Sequence, residues 1–110
     1  NLNTVLVGGP DFAVEILSPH DHAREKLPFY GKIKTRECLY IDRELECVEL
    51  YRLNGDQMKL LAQLTVEKGL TCESQVLNLT FQMVAEGNQT LLVVQSLADS
   101  SQSWRVDLLT

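Results

Sequence analysis

The sequence predicts a mixed α/β (α+β) chain, and three observations carry that prediction. Pro10-Asp11-Phe12-Ala13-Val14-Glu15-Ile16-Leu17-Ser18-Pro19 is an apolar run holding two carboxylates and closed by Ser-Pro, the pattern of a strand buried on both faces. A helical stripe follows between Ala23 and Lys34. Beyond it, Asn54-Gly55 marks a hairpin, and strand-like segments continue to the end of the chain.

The 110 residues suffice for one domain with one core. With 45% hydrophobic and 23% charged residues, the composition is that of a folded globular protein rather than a disordered one. No apolar run approaches the roughly 18 residues of a membrane span, and these residues show no basic-apolar-small signal-peptide pattern. Three cysteines without CxxC spacing support neither a disulfide framework nor a zinc site, which points to reduced thiols in a cytoplasmic protein. The chain starts at Asn1 without a methionine and runs almost directly into the Pro10 strand, so an amino-terminal part of the natural protein is expected to be missing. A net charge of −5 argues against a protein that coats nucleic acid. Yet Arg24, Lys26, Lys32, Lys34 and Arg36 put half of the 10 basic residues into one short segment. That cluster is either a solvated helix face or a local phosphate-attracting surface.

Taken in order, Thr4-Val5-Leu6-Val7 and Gly8-Gly9 read as a loop or strand remnant feeding the Pro10 strand. His20-Asp21-His22 is a polar turn with Asp21 as helix cap. In the helix that follows, Leu27, Phe29, Tyr30 and Ile33 form the apolar stripe. Pro28 either sits in the first turn of a late-starting helix or bends it. Thr35-Arg36-Glu37 is the exit, and Cys38-Leu39-Tyr40-Ile41 a short buried strand ending at Asp42. After a turn at Arg43-Glu44-Leu45, an alternating strand runs from Glu46 to Leu53, and the Asn54-Gly55 hairpin returns it along Gln57 to Thr65. Leu77, Leu79, Phe81 and Met83 then alternate with Asn78, Thr80 and Gln82 as a half-buried strand. Glu86-Gly87-Asn88 turns into a strand from Thr90 to Leu97, and a polar loop leads to a last strand from Trp104 to Leu109. The chain thus divides, within a single domain of residues 1–110, into a strand-helix-strand-hairpin core (10–65) and a β-rich extension (66–110).

Strand alternation sets Phe12, Val14 and Ile16 on one face, and Asp11, Ala13, Glu15 and Leu17 on the other. Glu15 is therefore an acid held mid-strand, which costs several kcal/mol unless a cation or a set of donors meets it. Asp11 and Glu15 invite a hard divalent cation. Four residues along a strand span about 13 Å, so a regular strand cannot make both of them principal ligands of one ion. A partner acid for Glu15 would come from another strand, and Asp11 alternatively braces the strand start. Lys26, at the first helical turn, is either a surface lysine or a cation that polarises a phosphate or orients a water. His20 and His22 fit a capping turn better than a metal pair. No Gly-rich phosphate loop or Ser-His-Asp set appears, and Cys38 and Cys47 have no evident base.

The strand from Pro10 to Pro19, then Asp21, Arg24-Glu25-Lys26-Leu27, Phe29-Tyr30, Leu39-Tyr40-Ile41-Asp42 and Val48-Glu49-Leu50-Tyr51-Arg52-Leu53, resemble the Uma-type putative restriction endonuclease family of the PD-(D/E)XK nuclease superfamily. The match is close from about Pro10 to Leu64 and looser afterwards. The resemblance implies a mixed β-sheet flanked by helix, a restriction-endonuclease-like core with a β-rich C-terminal extension, and a divalent metal, Mg2+ or Mn2+, at the sheet edge. It also implies hydrolysis of phosphodiester bonds in DNA. Glu15 matches the acid of the (D/E)XK element, Leu17 stands where its lysine belongs, and Lys26 looks like the relocated substitute. The second acid is expected from a neighbouring strand, at a Pro-Asp upstream of the one here. The candidates are then Glu15 and Lys26 for catalysis, and Glu15 and Asp11 for the metal. DNA is the expected partner, alongside a second copy in a homodimer. The alternative is a non-catalytic interaction or dimerisation domain on the same fold, with Leu77, Leu79, Phe81, Met83 and the strand Thr90 to Leu97 building its partner surface.

Overall fold

Two β-sheets share one core in the computed structural model, which describes residues 4–7, 11–18 and 22–108. The first sheet has the order β1-β2-β3-β4-β5, with β1 at Thr4–Val7, β2 at Phe12–Leu17, β3 at Glu37–Asp42, β4 at Cys47–Asn54 and β5 at Gln57–Leu64. The second has the order β6-β7-β8-β9, with β6 at Thr71–Ser74, β7 at Leu79–Glu86, β8 at Gln89–Ser96 and β9 at Ser103–Asp107. Strands β2 and β3 are parallel, and every other described pairing is antiparallel. The fold is a mixed-sheet α+β architecture with a β-rich carboxyl half, as the sequence predicts.

The parallel pair demands a crossover, and the helical segment supplies it. A 3-10 turn at Ala23–Lys26 leads into a single short α-helix, α1, at Leu27–Lys32. Pro28 lies in its first turn, where a missing N–H costs nothing. The stripe is only half realised. Tyr30 is buried, whereas Phe29 and Ile33 are 57% and 40% exposed, because six residues make too short a helix to bury a full face. Gly31 packs so close to the β4–β5 turn that an added Cβ would lie 2.3 Å from the Asp56 carbonyl oxygen. His20 and Asp21 lie outside the described residues, and His22 precedes the 3-10 turn without a side-chain cap.

Both hairpin signals hold, each shifted slightly. Asn54 pairs with Gln57, so the two-residue loop is Gly55-Asp56, with Gly55 at φ +68°. Glu86 pairs with Gln89 around Gly87-Asn88. The β3–β4 turn is held by Asp42, whose Oδ1 accepts the N–H groups of Glu44 and Leu45 at 3.1 and 2.9 Å.

The two faces of the first sheet meet different partners. Phe12, Leu39, Ile41, Val48, Leu50 and Leu64 pack against Cys72, Phe81, Met83, Leu92 and Leu108 of the carboxyl half. The opposite face packs Ala13, Leu17, Cys38, Tyr40 and Tyr51 against Ala23 and Tyr30 of the crossover. Strand β2 is thus covered on both sides, as its continuous apolar pattern requires. Two expectations are corrected here. Glu37 is the buried first residue of β3 rather than part of the exit from the helix. Leu79, Phe81 and Met83 turn inward, so that run fills the core instead of forming a partner surface. The three cysteines are free thiols and buried. Among the described residues no helix is long and apolar enough to cross a membrane.

Candidate active site

A polar row crosses the helix-covered face of the first sheet. Glu15, Tyr40, Glu49 and Gln63 are lateral neighbours on β2, β3, β4 and β5, so their side chains rise from the same face. The acid at each end of Tyr40 is met by its own cation from the crossover.

Glu15 has no exposed surface. Tyr30 donates its hydroxyl to Oε2 at 2.6 Å, and Lys26 Nζ stands 3.3 Å from Oε1 and 3.4 Å from Oε2. Lys26 and Tyr30 are four residues apart, one helical turn, and so project from one side of the crossover onto the strand. The Lys26 side chain remains 34% exposed, which places its ammonium between the buried acid and water.

Glu49 is the second buried acid of the row. Its Oε1 accepts Nε and a terminal nitrogen of Arg24, each at 2.9 Å, and the Tyr51 hydroxyl at 3.0 Å. Gln63 donates to Oε2 at 3.3 Å. The same terminal nitrogen of Arg24 also lies 4.0 Å from a carboxylate oxygen of Asp42. The hydrogen bond to Glu49 raises the pKa of Arg24, so this cation is permanent. Tyr40, between the acids, donates its hydroxyl to the Ala23 carbonyl at 2.7 Å and anchors the crossover. Burial, then the charges around it, push its phenol up. Cys38, on the same face, is pushed up to about 12 by burial, then by Glu15 and Glu37, and is no nucleophile at neutral pH.

Glu15 and Lys26 are therefore brought together, and Asp11 is not brought to them. It precedes β2, its carbonyl accepting the Arg36 N–H at 3.1 Å, and a regular strand sets it about 13 Å from Glu15. Glu15 and Glu49 lie two strand spacings apart, about 10 Å, with Tyr40 between them. Among the described residues no group of three or more His, Cys, Asp or Glu side chains could hold a metal. A Mg2+ ion, however, needs only one or two carboxylates, its other positions going to water and substrate phosphates. Glu15 fits that lesser requirement as a single carboxylate, whereas Glu49 and Asp42 are engaged with Arg24.

Sequence reasoning missed Tyr30, Arg24 and Glu49 as members of the site. Tyr30 reads as one more apolar stripe residue, although its one-turn spacing from Lys26 was a usable signal. Glu49 reads as one more position of an alternating strand, and only the crossover above it makes it an interior acid.

The chain matches the model of the Uma2 family, described as Putative restriction endonuclease, over residues 4–86. That span runs from β1 to the end of β7 and contains every residue of the polar row. The chain belongs to this family, whose description is that of a nuclease. No curated protein matches it.

Proposed function

We propose that the Glu15–Lys26 pair is the catalytic centre of a Mg2+- or Mn2+-dependent enzyme that hydrolyses phosphodiester bonds in DNA. The observation that carries this reading is a carboxylate with no exposed surface whose nearest cation, Lys26, is one-third in water. Membership of a family described as nucleases supports it. When bound, the ion would neutralise charge on the scissile phosphate and acidify a water. Glu15 supplies the anionic oxygen that holds the ion. Tyr30, through its 2.6 Å hydrogen bond, fixes the orientation of that carboxylate. Lys26 carries the positive charge that turns from Glu15 to a phosphate oxygen or an attacking water as substrate arrives. Lys32, Lys34 and Arg36 are exposed at the carboxyl end of the same crossover and provide sequence-independent contacts to the DNA backbone. The proposal rests on Glu15 and gives Asp11 no place in the same coordination shell.

Cleavage of plasmid DNA in Mn2+ tests this directly. Glu15→Gln and Lys26→Ala are each expected to lower the rate by about 100-fold or more, and chelation with EDTA to abolish it. Parental rates in both variants would reject the assignment.

The alternative, a non-catalytic interaction domain, is favoured by one observation: Glu15 is already matched by Lys26 and Tyr30 and needs no metal to be tolerated. Calorimetric titration with Mn2+ separates the two, since Glu15-dependent binding is expected of the enzyme alone.

A further inference from the structure

Charge is spread unevenly along this chain. Residues 22–36, the crossover and its exit, set 5 of the 10 basic residues against the single acid Glu25, while the other 5 face the remaining 14 of the 15 acids. Arg24 and Lys26 are turned onto Glu49 and Glu15. Lys32, Lys34 and Arg36 stay exposed, and Lys34 meets only a backbone carbonyl, that of Gly55, at 3.3 Å. A polyanion is therefore attracted to this segment and repelled by the rest of the molecule. Within the same segment the fold leaves an aromatic ring uncovered. Phe29 is 57% exposed, and Ile33, one turn on, is 40% exposed. The Ile33 N–H donates to the Phe29 carbonyl at 3.0 Å, so both side chains lie along one side of the helix, with Lys32 beside them. The Phe29 ring also stands 5.7 Å, centroid to centroid, from the ring of Tyr30, whose hydroxyl holds Glu15. One aromatic residue separates the uncovered ring from the buried carboxylate.

We propose that Phe29 is a stacking platform for a base of single-stranded DNA, so that the strand presented to Glu15 and Lys26 is unpaired rather than part of an intact duplex. The inference rests on DNA as the partner proposed above and adds the state in which that DNA is bound. Phosphates satisfy Lys32, Lys34 and Arg36 in either state. Only an unpaired strand also offers free base faces to an aromatic ring, because in a duplex each face is covered by the next base pair. A cationic groove with a ring set into it is the combination that holds single strands without reading their sequence. A second copy of this chain does not fit, since the same positive segment would face itself. A lipid surface fits poorly as well, because Phe29 and Ile33 are too little apolar area to seat so short a helix in a bilayer interface. A negatively supercoiled plasmid opens unpaired stretches and is accordingly a substrate, whereas the relaxed linear form offers few.

Fluorescence anisotropy with a labelled oligothymidine, and with a duplex of the same length, tests this in EDTA, where no cleavage intervenes. The single strand is expected to bind about tenfold more tightly than the duplex. Phe29→Ala should weaken single-strand binding by about tenfold while leaving the slope of affinity against salt unchanged, since stacking releases no counterions. Lys32→Ala should do the reverse and lower that slope. Phe29→Trp, placed in a Trp104→Phe background so that it is the single tryptophan, should keep the affinity and lose emission when the oligonucleotide stacks on it. That quenching decides the matter even if Phe29→Ala fails to fold, which circular dichroism melts establish. Equal affinity for both forms of DNA overturns the proposal, as does unchanged affinity in a folded Phe29→Ala or an unquenched Phe29→Trp. Binding to phosphatidylserine vesicles in place of the oligonucleotide overturns it too. A parent chain that binds neither form of DNA removes the nuclease reading along with it. Phe29-dependent single-strand binding with plasmid cleavage unaffected by Glu15→Gln would instead sink the catalytic assignment alone.

Discussion

Glu15 and Glu37 are both acids of the first sheet with 1% exposure or less, but they point to opposite faces and are satisfied in different ways. Glu37 faces the second sheet. Its Oε1 accepts the Ser74 hydroxyl at 2.5 Å, and its Oε2 accepts the Gln75 N–H at 2.9 Å and two Arg52 nitrogens at 3.0 and 3.1 Å. Arg52 in turn donates to the Glu73 carbonyl at 2.8 Å. Four short bonds, one of them from backbone, lock this acid into the junction between the sheets. Glu15 faces the crossover and has a phenol at 2.6 Å and a lysine beyond 3.2 Å that reaches water. A buried acid by itself therefore says little about chemistry. What separates a rivet from a site is whether its cation can leave.

The sharpest way to break this comparison is to remove each acid in turn and measure unfolding in urea. Glu37→Ala should cost about 3 kcal/mol, because it leaves the buried Ser74 hydroxyl without its acceptor and removes the shared partner of the Gln75 N–H and Arg52. Glu15→Gln should cost about 1 kcal/mol or less, since Lys26 can turn to solvent and the amide still accepts from Tyr30. Equal losses would mean that Glu15 is a structural acid as well. A smaller effect tests how firmly the crossover is held over the Glu15 face. Gly31→Ala should lower stability by about 1–3 kcal/mol, read by thermal melting, because the Asp56 carbonyl oxygen must retreat from the new methyl group.

The mildest test uses Cys38, which sits on β3 next to Glu37 in sequence and on the Glu15 face. Burial, then Glu15, then Glu37, push its thiol from 9.0 up to about 12. Cys72 is pushed up to about 11 by burial, with Arg52 opposing. Between these values the unfolded chain has released protons that the folded chain retains. Stability from these thiols is complete below about pH 9 and is lost as the pH rises through the folded values. Urea midpoints should therefore fall from pH 8.5 to pH 11, and less steeply in Cys38→Ala. A pH profile identical in the variant would show that the thiol is not held protonated by its surroundings.

Much of the fold was legible because its signals are local. The doubly buried β2 pattern, Pro28 at a helix start, and the glycines of the β4–β5 and β7–β8 turns each follow from backbone rules that need no distant partner. Glu15 stood out for the same reason: a charge inside a greasy strand is an anomaly within eight residues of sequence. Glu37 and Glu49 gave no such signal. One lies at a strand boundary and the other at an alternating position, and both are interior only because the second sheet and the crossover fold over them. The inward turn of Phe81 and Met83 was hidden likewise, since alternation defines two faces without saying which one is covered.

The sequence by itself determined the element order from the Pro10 strand to the Asn54-Gly55 hairpin, the strand that is covered twice, the acid within it and the lysine one crossover away, whereas the separate strand β6 at Thr71–Ser74 carried no signal of its own. Which cation meets which acid was settled only in three dimensions. The parallel β2–β3 register aligns Glu15 with Tyr40, the hairpin aligns Tyr40 with Glu49, and the crossover then lays Lys26 on one acid and Arg24 on the other. Pairing of that kind joins residues 11 and 25 positions apart along the chain. Electrostatic partners are chosen by distance through a folded interior, and spacing along a sequence does not encode that distance.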